Sequence, residues 1–512
     1  MARVAAQLSN FTAGELSPRL DGRNDLAKYS AGCATVENMV IYPHGAAARR
    51  PGTQYVSSVK TPANKTRLIP FEFSTTQTYI LELGNQYIRF YKDNGQILSS
   101  GSPYEISSPY LTAEIFDIKF AQSADVMYIT HPNHKTRKLS RTGHTSWTLT
   151  EVDFVNGPYL DTNSSTTTIT ASAHTVGTGR TFTASASTFV STDVGRLVRF
   201  RDGYAEITGF TSATVVTVEI LKDTGSTSGS TDWSLGAFSD TTGHPSCVSF
   251  FEQRLVFAAT LNNPQTVYFS KSGDYENMDA NIGGTVADDD AIIYTIASNQ
   301  VNAIRFMAAG RTLIIGTAGG EFTVSGGGDN DAVTPTNILI KKQSNHGAAN
   351  TDAIAVANAT LFLQRAKRKI RELAYNFDVD GYTAPDLTIL AEHITEGGIV
   401  EMAYQEEPLA IIWCVRNDGE LIALTYQREQ EVVAWHRHVF GGAFGTDKAV
   451  CESVAVIPTE DSEYELYMII KRTINGATTR YVEYLNTFDF DQTDNTSFNF
   501  LDSQLNYSGA TS

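Results

Sequence analysis

A strand–turn–strand pattern that recurs roughly every fifty residues constrains this chain most. Its clearest copy runs from IIWCV (residues 411–415) through the turn RNDG to LIALTY (421–426), and then through QREQE to VVAWH. Asp418-Gly419 inside it is a strong hairpin signal, because this dipeptide tolerates the positive φ of a tight turn. Similar units begin near residues 79, 127, 255, 313, 361 and 466.

The spacing of these units predicts a β-propeller. Five of the six intervals between units are 48 to 58 residues long, and the sixth is 128 residues. Taking out residues 157–242 reduces the sixth interval to 42. Propeller blades are four-stranded meanders of this length, whereas a β-sandwich does not require an even period. We therefore expect an all-β, propeller-like platform of six or seven meander units, in residues 57–156 and 243–485.

Residues 157–242 are rich in Ser, Thr, Gly and Ala, yet they contain further strand patterns such as TTTITAS, RTFTASA and TVVTVEIL. They predict a small β-barrel or sandwich domain inserted in an exposed loop, where insertions are tolerated. A spacer is the favoured role, and a carbohydrate or fibre contact is the alternative. The remaining segments are an N-terminal arm (1–56) and a C-terminal tail (486–512).

The arm has too little apolar content to form a domain. Asn24 is a candidate N-cap for a short helix that would carry Leu26, Tyr29, Cys33 and Val36 on one face. Such a narrow stripe must be buried elsewhere, on the rest of the chain or on a neighbouring subunit. We expect residues 1–56 to contact an adjacent subunit or another protein.

Several separated motifs are spread in order over most of the chain outside the insertion. They are FTAGELSP (11–18), DGRNDLAKY (21–29), RRPGT (49–53), RLIPFEFS (67–74), HPSCVSFFEQRLVFAAT (244–260), DDDAIIYTIASNQVNAIRF (288–306), GGEFTVSGG (319–327), RKIRELAYNFDVDGY (368–382), LAEHI (390–394) and QREQEVVAWHRH (427–438). Together they resemble the tail nozzle proteins of short-tailed phages, also called tail tubular protein B, tail hub or phage stabilisation proteins. The last motif has Gln427 where the family pattern has Glu.

The resemblance implies a structural, non-enzymatic protein. It implies a homohexameric ring, the nozzle of the virion tail, assembled in the host bacterial cytoplasm. Such a ring docks below the portal and its adaptor ring, offers attachment for tail fibres or spikes, retains the genome and conducts duplex DNA during ejection without binding it specifically. A propeller glycosidase, which needs paired carboxylates, and a host-receptor-binding adhesin are the alternatives.

Charge and composition restrict the partners. The net charge of −17 argues against a DNA-gripping surface, which needs a basic footprint, but suits a channel wall that repels phosphate. Solubility explains the same charge equally well. No apolar run reaches the length of a membrane span and the first residues lack the apolar core of a secretion signal. The four cysteines are scattered and fit folding in a reducing compartment.

Five clusters were weighed for chemistry, and none predicts a catalytic, cofactor or metal site. The pairs His131/His134 and His436/His438 lack further ligands at zinc spacing and are expected to be solvated or edge-packed. Asp288–Asp290 lacks the alternation of a calcium loop. Residues 316–330 lack the lysine of a phosphate loop and suggest turns with a mobile loop after Val324. Residues 365–371 (RAKRKIR) predict a basic strand face that meets solvent, DNA or an acidic partner.

Overall fold

The computed structural model describes residues 8–297, 301–328, 331–459, 463–488 and 498–505. Throughout these ranges the secondary structure is β-strand with short 3-10 helices, and the class is all-β and propeller-like. The 3-10 helices are Pro18–Leu20, Ala27–Ala31, Ser191–Asp193, Phe377–Val379 and Arg428–Gln430.

Seven sheets of the described chain contain a four-stranded meander, here numbered 1 to 7. The strands are, for meander 1, Arg67–Ser74, Gln77–Gly84, Tyr87–Lys92 and Glu105–Ser107; for 2, Lys119–Ser123, Val126–His131, His134–Gly143 and Ser146–Glu151; for 3, Cys247–Phe251, Arg254–Ala258, Thr266–Phe269 and Ile292–Thr295; for 4, Ile304–Ala309, Leu313–Thr317, Gly320–Ser325 and Leu339–Ser344; for 5, Ile354–Val356, Ala359–Leu363, Ile370–Asn376 and Gly381–Thr383; for 6, Ile399–Gln405, Ile411–Arg416, Leu421–Gln427 and Val432–His438; and for 7, Val450–Pro458, Tyr464–Ile474, Ala477–Leu485 and Thr53–Ser58.

The sequence predicts this period correctly but misplaces its phase. Every strand that starts a unit in the sequence pattern is the second strand of its meander, as Gln77–Gly84 and Ile411–Arg416 illustrate. The preceding strands are less uniformly apolar, as in Ile399–Gln405, so they stand out less in the sequence. One further short strand, Gly95–Gln96, pairs with Tyr87–Lys92 of meander 1. Three two-stranded sheets are formed by Leu98–Ser99 with Ser102–Pro103, by Met39–Ile41 with Ala47–Arg49, and by Ala443–Phe444 with Asp447–Lys448.

The chain divides into two compact units. Unit 1 comprises residues 1–116, 140–148 and 348–512, and unit 2 comprises 117–139 and 149–347. In unit 1, meanders 6 and 7 share a core around Trp413 and Met468. In unit 2, meanders 3 and 4 share a core around Val267 and Leu313.

Meander 7 combines strands from both ends of the sequence. Thr53–Ser58 pairs antiparallel with Ala477–Leu485 and completes the sheet. Residues 499–504 then lie along Thr53–Ser58, since the Thr53 amide donates to the Leu501 carbonyl at 3.1 Å and the Tyr55 amide to that of Gln504 at 2.9 Å. Thr53–Ser58 thus covers the edge of Ala477–Leu485, and residues 499–504 cover the outer edge of Thr53–Ser58.

The insertion forms its own six-stranded sheet in unit 2. Its strands are Ile169–Ala171, Gly177–Ala184, Leu197–Phe200, Gly203–Ser212, Val215–Lys222 and Trp233–Leu235. A bridge between Ile169 and Ser230 curls this sheet towards a partly closed barrel. A separate apolar core, which includes Phe182, Phe200 and Val218, fills it. The sheet joins the meanders at a neck where the Leu160 amide donates to the Leu235 carbonyl.

The arm differs from the expected helix. Ala27–Ala31 is a single 3-10 segment, and Cys33 belongs to the strand Gly32–Cys33, which pairs in parallel with Gly14–Glu15. Gly14–Glu15 in turn lies beside Val432–His438 of meander 6. Pairing with these strands outweighs the weak helical spacing, because it satisfies the backbone groups of the arm.

Candidate functional site

Three motifs that are far apart in the sequence meet at one buried cluster in unit 1. We call Glu15, Ser17, Glu392, His393 and Arg437 the arm-docking cluster. Glu15 and Ser17 belong to FTAGELSP, Glu392 and His393 to LAEHI, and Arg437 to QREQEVVAWHRH. The pairing of Gly14–Glu15 with meander 6 brings the arm to this position.

Glu15 is fully buried and is the centre of the cluster. It accepts two hydrogen bonds from the Arg437 guanidinium, one of them from Nε at 3.1 Å to Oε2. The Val36 amide donates to Oε2 at 2.7 Å, and Nε2 of His393 lies 2.9 Å from Oε1. Burial lowers the pKa of His393, so its neutral ring donates from Nε2. A buried carboxylate with this many donors is stabilised as the anion.

Gly14 permits the close approach that brings Glu15 to meander 6. Its φ is +62°, and a Cβ at this position would lie 2.6 Å from the Trp435 carbonyl oxygen. Ser17 extends the contact, since its amide donates to the Leu390 carbonyl at 2.8 Å and its hydroxyl to Glu392 at 2.9 Å. The arm is therefore fixed by backbone pairing, by buried charge and by a glycine that leaves room for both.

Half of the apolar stripe of the arm packs on its own chain. Val36 and Cys33 pack with Ile41, Val432 and Ala434 in one small core. The other two residues of the stripe, Leu26 and Tyr29, are partly exposed. Contact of residues 1–56 with another protein stays a prediction.

A second set of buried ion pairs fixes the chain ends in unit 1. Arg50 forms two hydrogen bonds of 3.0 Å with Asp502, and both side chains are at most 9% exposed. Arg472 pairs with the fully buried Glu483, which also accepts a 2.6 Å hydrogen bond from the Thr53 hydroxyl. The Arg50–Asp502 and Thr53–Glu483 contacts join residues separated by more than four hundred positions.

Motif residues elsewhere have the same structural role. Arg67 of RLIPFEFS donates to Glu401 at 3.0 Å in a buried pair. Arg254 of unit 2 donates to the backbone carbonyls of Asp288, Ser270 and Asp290, each at 2.7 Å. The acidic triplet is thus a turn that an arginine holds, and Lys271 neutralises Asp290 at 2.7 Å.

The histidine pairs differ from the expectation of solvated or edge-packed rings. His436 and His438 share one face of a strand, as predicted, but both are buried, with their rings hydrogen-bonded to each other at 2.8 Å. Burial lowers the pKa of His436 to about 3 and that of His438 well below its usual value, so both rings are neutral. The expectation of solvated or edge-packed rings was wrong because their strand, Val432–His438, packs in the core of meander 6. His131, in unit 2, is buried too, and its ring lies 5.0 Å from that of His134.

The basic run is a turn rather than a strand face. Residues 364–369 connect Ala359–Leu363 to Ile370–Asn376, and Lys367 has a φ of +61°. Lys369 pairs with Asp386 at 2.7 Å, whereas Arg365 and Arg368 are exposed. The turn forms because the two strands pair antiparallel and leave six residues, 364–369, between them. In the glycine-rich segment, residues 318–319 make a tight turn, and Asp329 and Asn330 of the expected mobile loop lie outside the described residues.

A cavity of about 760 Å³ in unit 1 lies beside the turn at Asp418-Gly419. Some of its charged side chains pair with each other, as Arg416 does with Glu420 at 2.7 Å and Lys471 with Glu452 at 3.6 Å. Its lining carries cationic and anionic side chains in equal number and so does not favour a ligand of either charge. No helix in the described ranges has the length and apolar character needed to cross a membrane.

No family model matches the chain, and no curated protein matches it in sequence. Three solved structures of low similarity are the WD40 domain of Neurospora crassa Pan2 (11% identity, 73% of this chain and 90% of that one, TM-score 0.32), YCF48 bound to D1 peptide (10%, 87% and 98%, 0.37) and U3-55K (6%, 85% and 100%, 0.41). The chain's own seven meanders define it as propeller-like.

Proposed function

We propose that this chain is a structural subunit of a short-tailed phage tail, in which six copies form the nozzle ring below the portal and adaptor. The ring retains the genome and then conducts DNA. One observation carries the proposal: three of the motifs that resemble the nozzle family meet at the arm-docking cluster, where they form structural contacts around the buried Glu15. Motif residues that contact each other, rather than a ligand, suit a protein whose role is mechanical.

The contacts made by the other motifs support the same role. Arg50, Arg67 and Arg254 are each at most 7% exposed, and each is satisfied by protein groups rather than left available for a substrate. A subunit that resists the pressure of packaged DNA benefits from buried links between distant parts of the sequence. We propose no enzymatic activity.

Particle mass is the direct test. Mass photometry of the purified chain, alone and with the tail adaptor, should detect particles of six times 55.8 kDa. Electron microscopy of those particles should show a ring with an axial channel. Only monomers under both conditions, or particles without a channel, would contradict the proposal.

The proposed DNA-conducting role predicts weak binding to duplex DNA, which is tested separately. A conduit with a charge of −17 per subunit should bind duplex DNA weakly even at low salt, where lysine and arginine contacts to phosphate are strongest. A gel-shift titration at low ionic strength measures this. An affinity near 10⁻⁸ M, about that of specific DNA binders, together with a steep salt dependence, would indicate a DNA-gripping protein instead.

A further inference from the structure

A cleft of about 380 Å³ lies in unit 2 where the inserted sheet meets the meanders near the neck. The inserted sheet and its loops contribute Val194, Gly195, Leu197, Glu206 and Leu221 to the walls. The opposite wall includes Lys135, Glu151, Asp153, Phe154, Phe238, Asp240 and His244. Carboxylates and apolar groups thus line the same space.

Glu206 lies directly across from a second glutamate. In the pairing of Gly203–Ser212 with Val215–Lys222, its partner is Glu219. Like charges that face each other across paired strands are unfavourable. Both side chains are partly exposed, and no ion pair to Glu206, Glu219 or Asp153 occurs in the part of the chain that the structure describes. Lys135 offsets this repulsion only in part, because its Nζ also donates to Glu151.

The electrostatic surroundings of Glu206 confirm an excess of negative charge. Burial is the main cause that raises the pKa of Glu206; Lys135 opposes the rise, while Asp153, Glu219 and Glu151 add to it. Lys135 is shared, because its Nζ already donates to Glu151 at 3.1 Å. Burial also lowers the pKa of His244, so this ring adds no positive charge.

Gly195 keeps the polar end of the cleft open. A Cβ there would lie 2.9 Å from Nζ of Lys135 and 3.9 Å from Oε1 of Glu206. The φ of +86° at Gly195 also disfavours any other residue. The ammonium and carboxylate groups therefore reach the same small region of the cleft.

The remaining wall is apolar and aromatic. Phe154 and Phe238 are partly exposed and contact each other edge to face, with ring centroids 5.3 Å apart. Tyr268 supports Phe238 from behind at 5.0 Å. Leu221 and Val194 remain 39% and 44% exposed beside the cleft. Aromatic faces attract cations, and apolar walls favour the aliphatic chain that carries them.

The spacing of the carboxylates excludes a chelated metal ion. In this cleft the Asp, Glu and His side chains do not form a group of three with ligand atoms within 4.8 Å of one another. The volume suits about a dozen non-hydrogen atoms at the roughly 30 Å³ that each water occupies in the liquid. An extended organic cation fits both the volume of the cleft and the separation of its carboxylates.

We propose that this cleft binds an organic cation, a primary ammonium group on an aliphatic chain. The ammonium group lies between Glu206 and Asp153, and the chain runs along Phe154, Phe238 and Leu221. Glu219 lies outside the cleft walls and adds negative charge beside Glu206. The cation is either a free aliphatic polyamine or the side chain of a lysine in another protein. The proposal is independent of the role in a phage tail.

Isothermal titration calorimetry of the full chain at low ionic strength tests it with two probes. Cadaverine stands for the free polyamine, and N-acetyl-lysine amide stands for a lysine side chain. Saturable one-to-one binding that weakens with added salt is the expected result. Glu206→Gln should weaken it about tenfold, equivalent to about 1.4 kcal/mol, and Glu219→Gln should weaken it in the same direction.

Asp202→Asn is the matched control, because it removes one exposed carboxylate from a turn of the same inserted sheet outside the cleft. It should leave binding unchanged. Binding of both probes identifies the site as one for lysine side chains, and binding of cadaverine alone identifies a polyamine site. Absence of saturable binding by either probe, an equal loss in Asp202→Asn, or full binding by both glutamate variants would overturn the proposal.

Discussion

The arm-docking cluster of unit 1 and the inserted sheet of unit 2 are stabilised by opposite means. The cluster buries the Glu15 carboxylate against a partly buried guanidinium and histidine, and it joins residues about four hundred positions apart. The inserted sheet buries an apolar core made by nearby residues and leaves two glutamates facing each other at its surface. Buried charge fixes the position of the arm, whereas the insertion needs only its own apolar pattern to fold.

Removal of the Glu15 carboxylate is the most direct test of whether buried charge stabilises the docked arm. Glu15→Gln leaves the partly buried Arg437 without its counter-ion, which should lower the free energy of unfolding of unit 1 by about 3 kcal/mol. Urea unfolding monitored by tryptophan fluorescence measures the loss, because Trp413 and Trp435 lie in meander 6.

The exposed arm pair provides the control for that experiment. Asp25 forms a solvent-exposed pair with Arg23 at 2.8 Å, so Asp25→Asn should leave the unfolding midpoint unchanged. Equal effects of the two variants would mean that Glu15 does not stabilise the docked arm through buried charge.

Acid should destabilise unit 1 through its buried histidines. The folded-state pKa of His436 is lowered to about 3, well below the unfolded value of about 6.5. Its contribution is fully present above pH 6.5 and is lost as the pH falls, by about 2 kcal/mol at pH 5. His438 acts in the same direction. Hydrogen exchange of peptides from residues 411–438 at pH 7.5 and pH 5 measures this.

The inserted sheet should not share that response. Its one histidine, His174, is exposed, and the pKa of Glu206 is raised, so protonation of that carboxylate favours the folded sheet as the pH falls. Peptides from residues 197–222 should therefore keep their protection at pH 5. The combined variant His436→Gln, His438→Gln is the control, and a pH dependence as steep as that of the wild type would exclude these rings as the cause.

Relief of the glutamate repulsion should have a small effect of the opposite sign. Glu219→Gln should stabilise the inserted sheet by a few tenths of a kcal/mol in the absence of any amine. Exchange of the same 197–222 peptides detects it, and Glu206→Gln provides an independent second measurement. A loss of protection in both variants would show that Glu219 and Glu206 are compensated within the protein.

The smallest expected effect comes from removal of the whole insertion. Replacement of residues 161–234 by a short Gly/Ser linker keeps Leu160 and Leu235 at the neck, and should leave the protection of unit 1 unchanged. Circular dichroism should remain β-rich and melting cooperative. Collapse of the remaining chain would show that the inserted sheet supports the meanders.

The meanders could be predicted from the sequence, and the contacts between distant segments could not. Apolar strands and turns such as Asn475-Gly476, both with positive φ, are local signals that a sequence displays directly. The Glu15–Arg437 pair is a long-range contact between two unremarkable charged residues. The burial of His436 and His438 depends on which face of meander 6 is covered, which alternation alone does not decide. The sequence offers one indication that Glu15 is buried. This charged residue lies in a short segment, AGEL, whose other residues are small or apolar.

The pairing of the two chain ends in meander 7 has a consequence for synthesis. Thr53–Ser58 leaves the ribosome early, yet its partners are Ala477–Leu485 and residues 499–504, among the last to emerge. Throughout translation the early strand therefore has an unpaired edge, the kind of surface that promotes aggregation. A chain that stops before residue 477 cannot complete the sheet. Meander 7 therefore forms only after residues 477–485 have been synthesised. In prematurely terminated chains, Thr53–Ser58 remains without its partner strand.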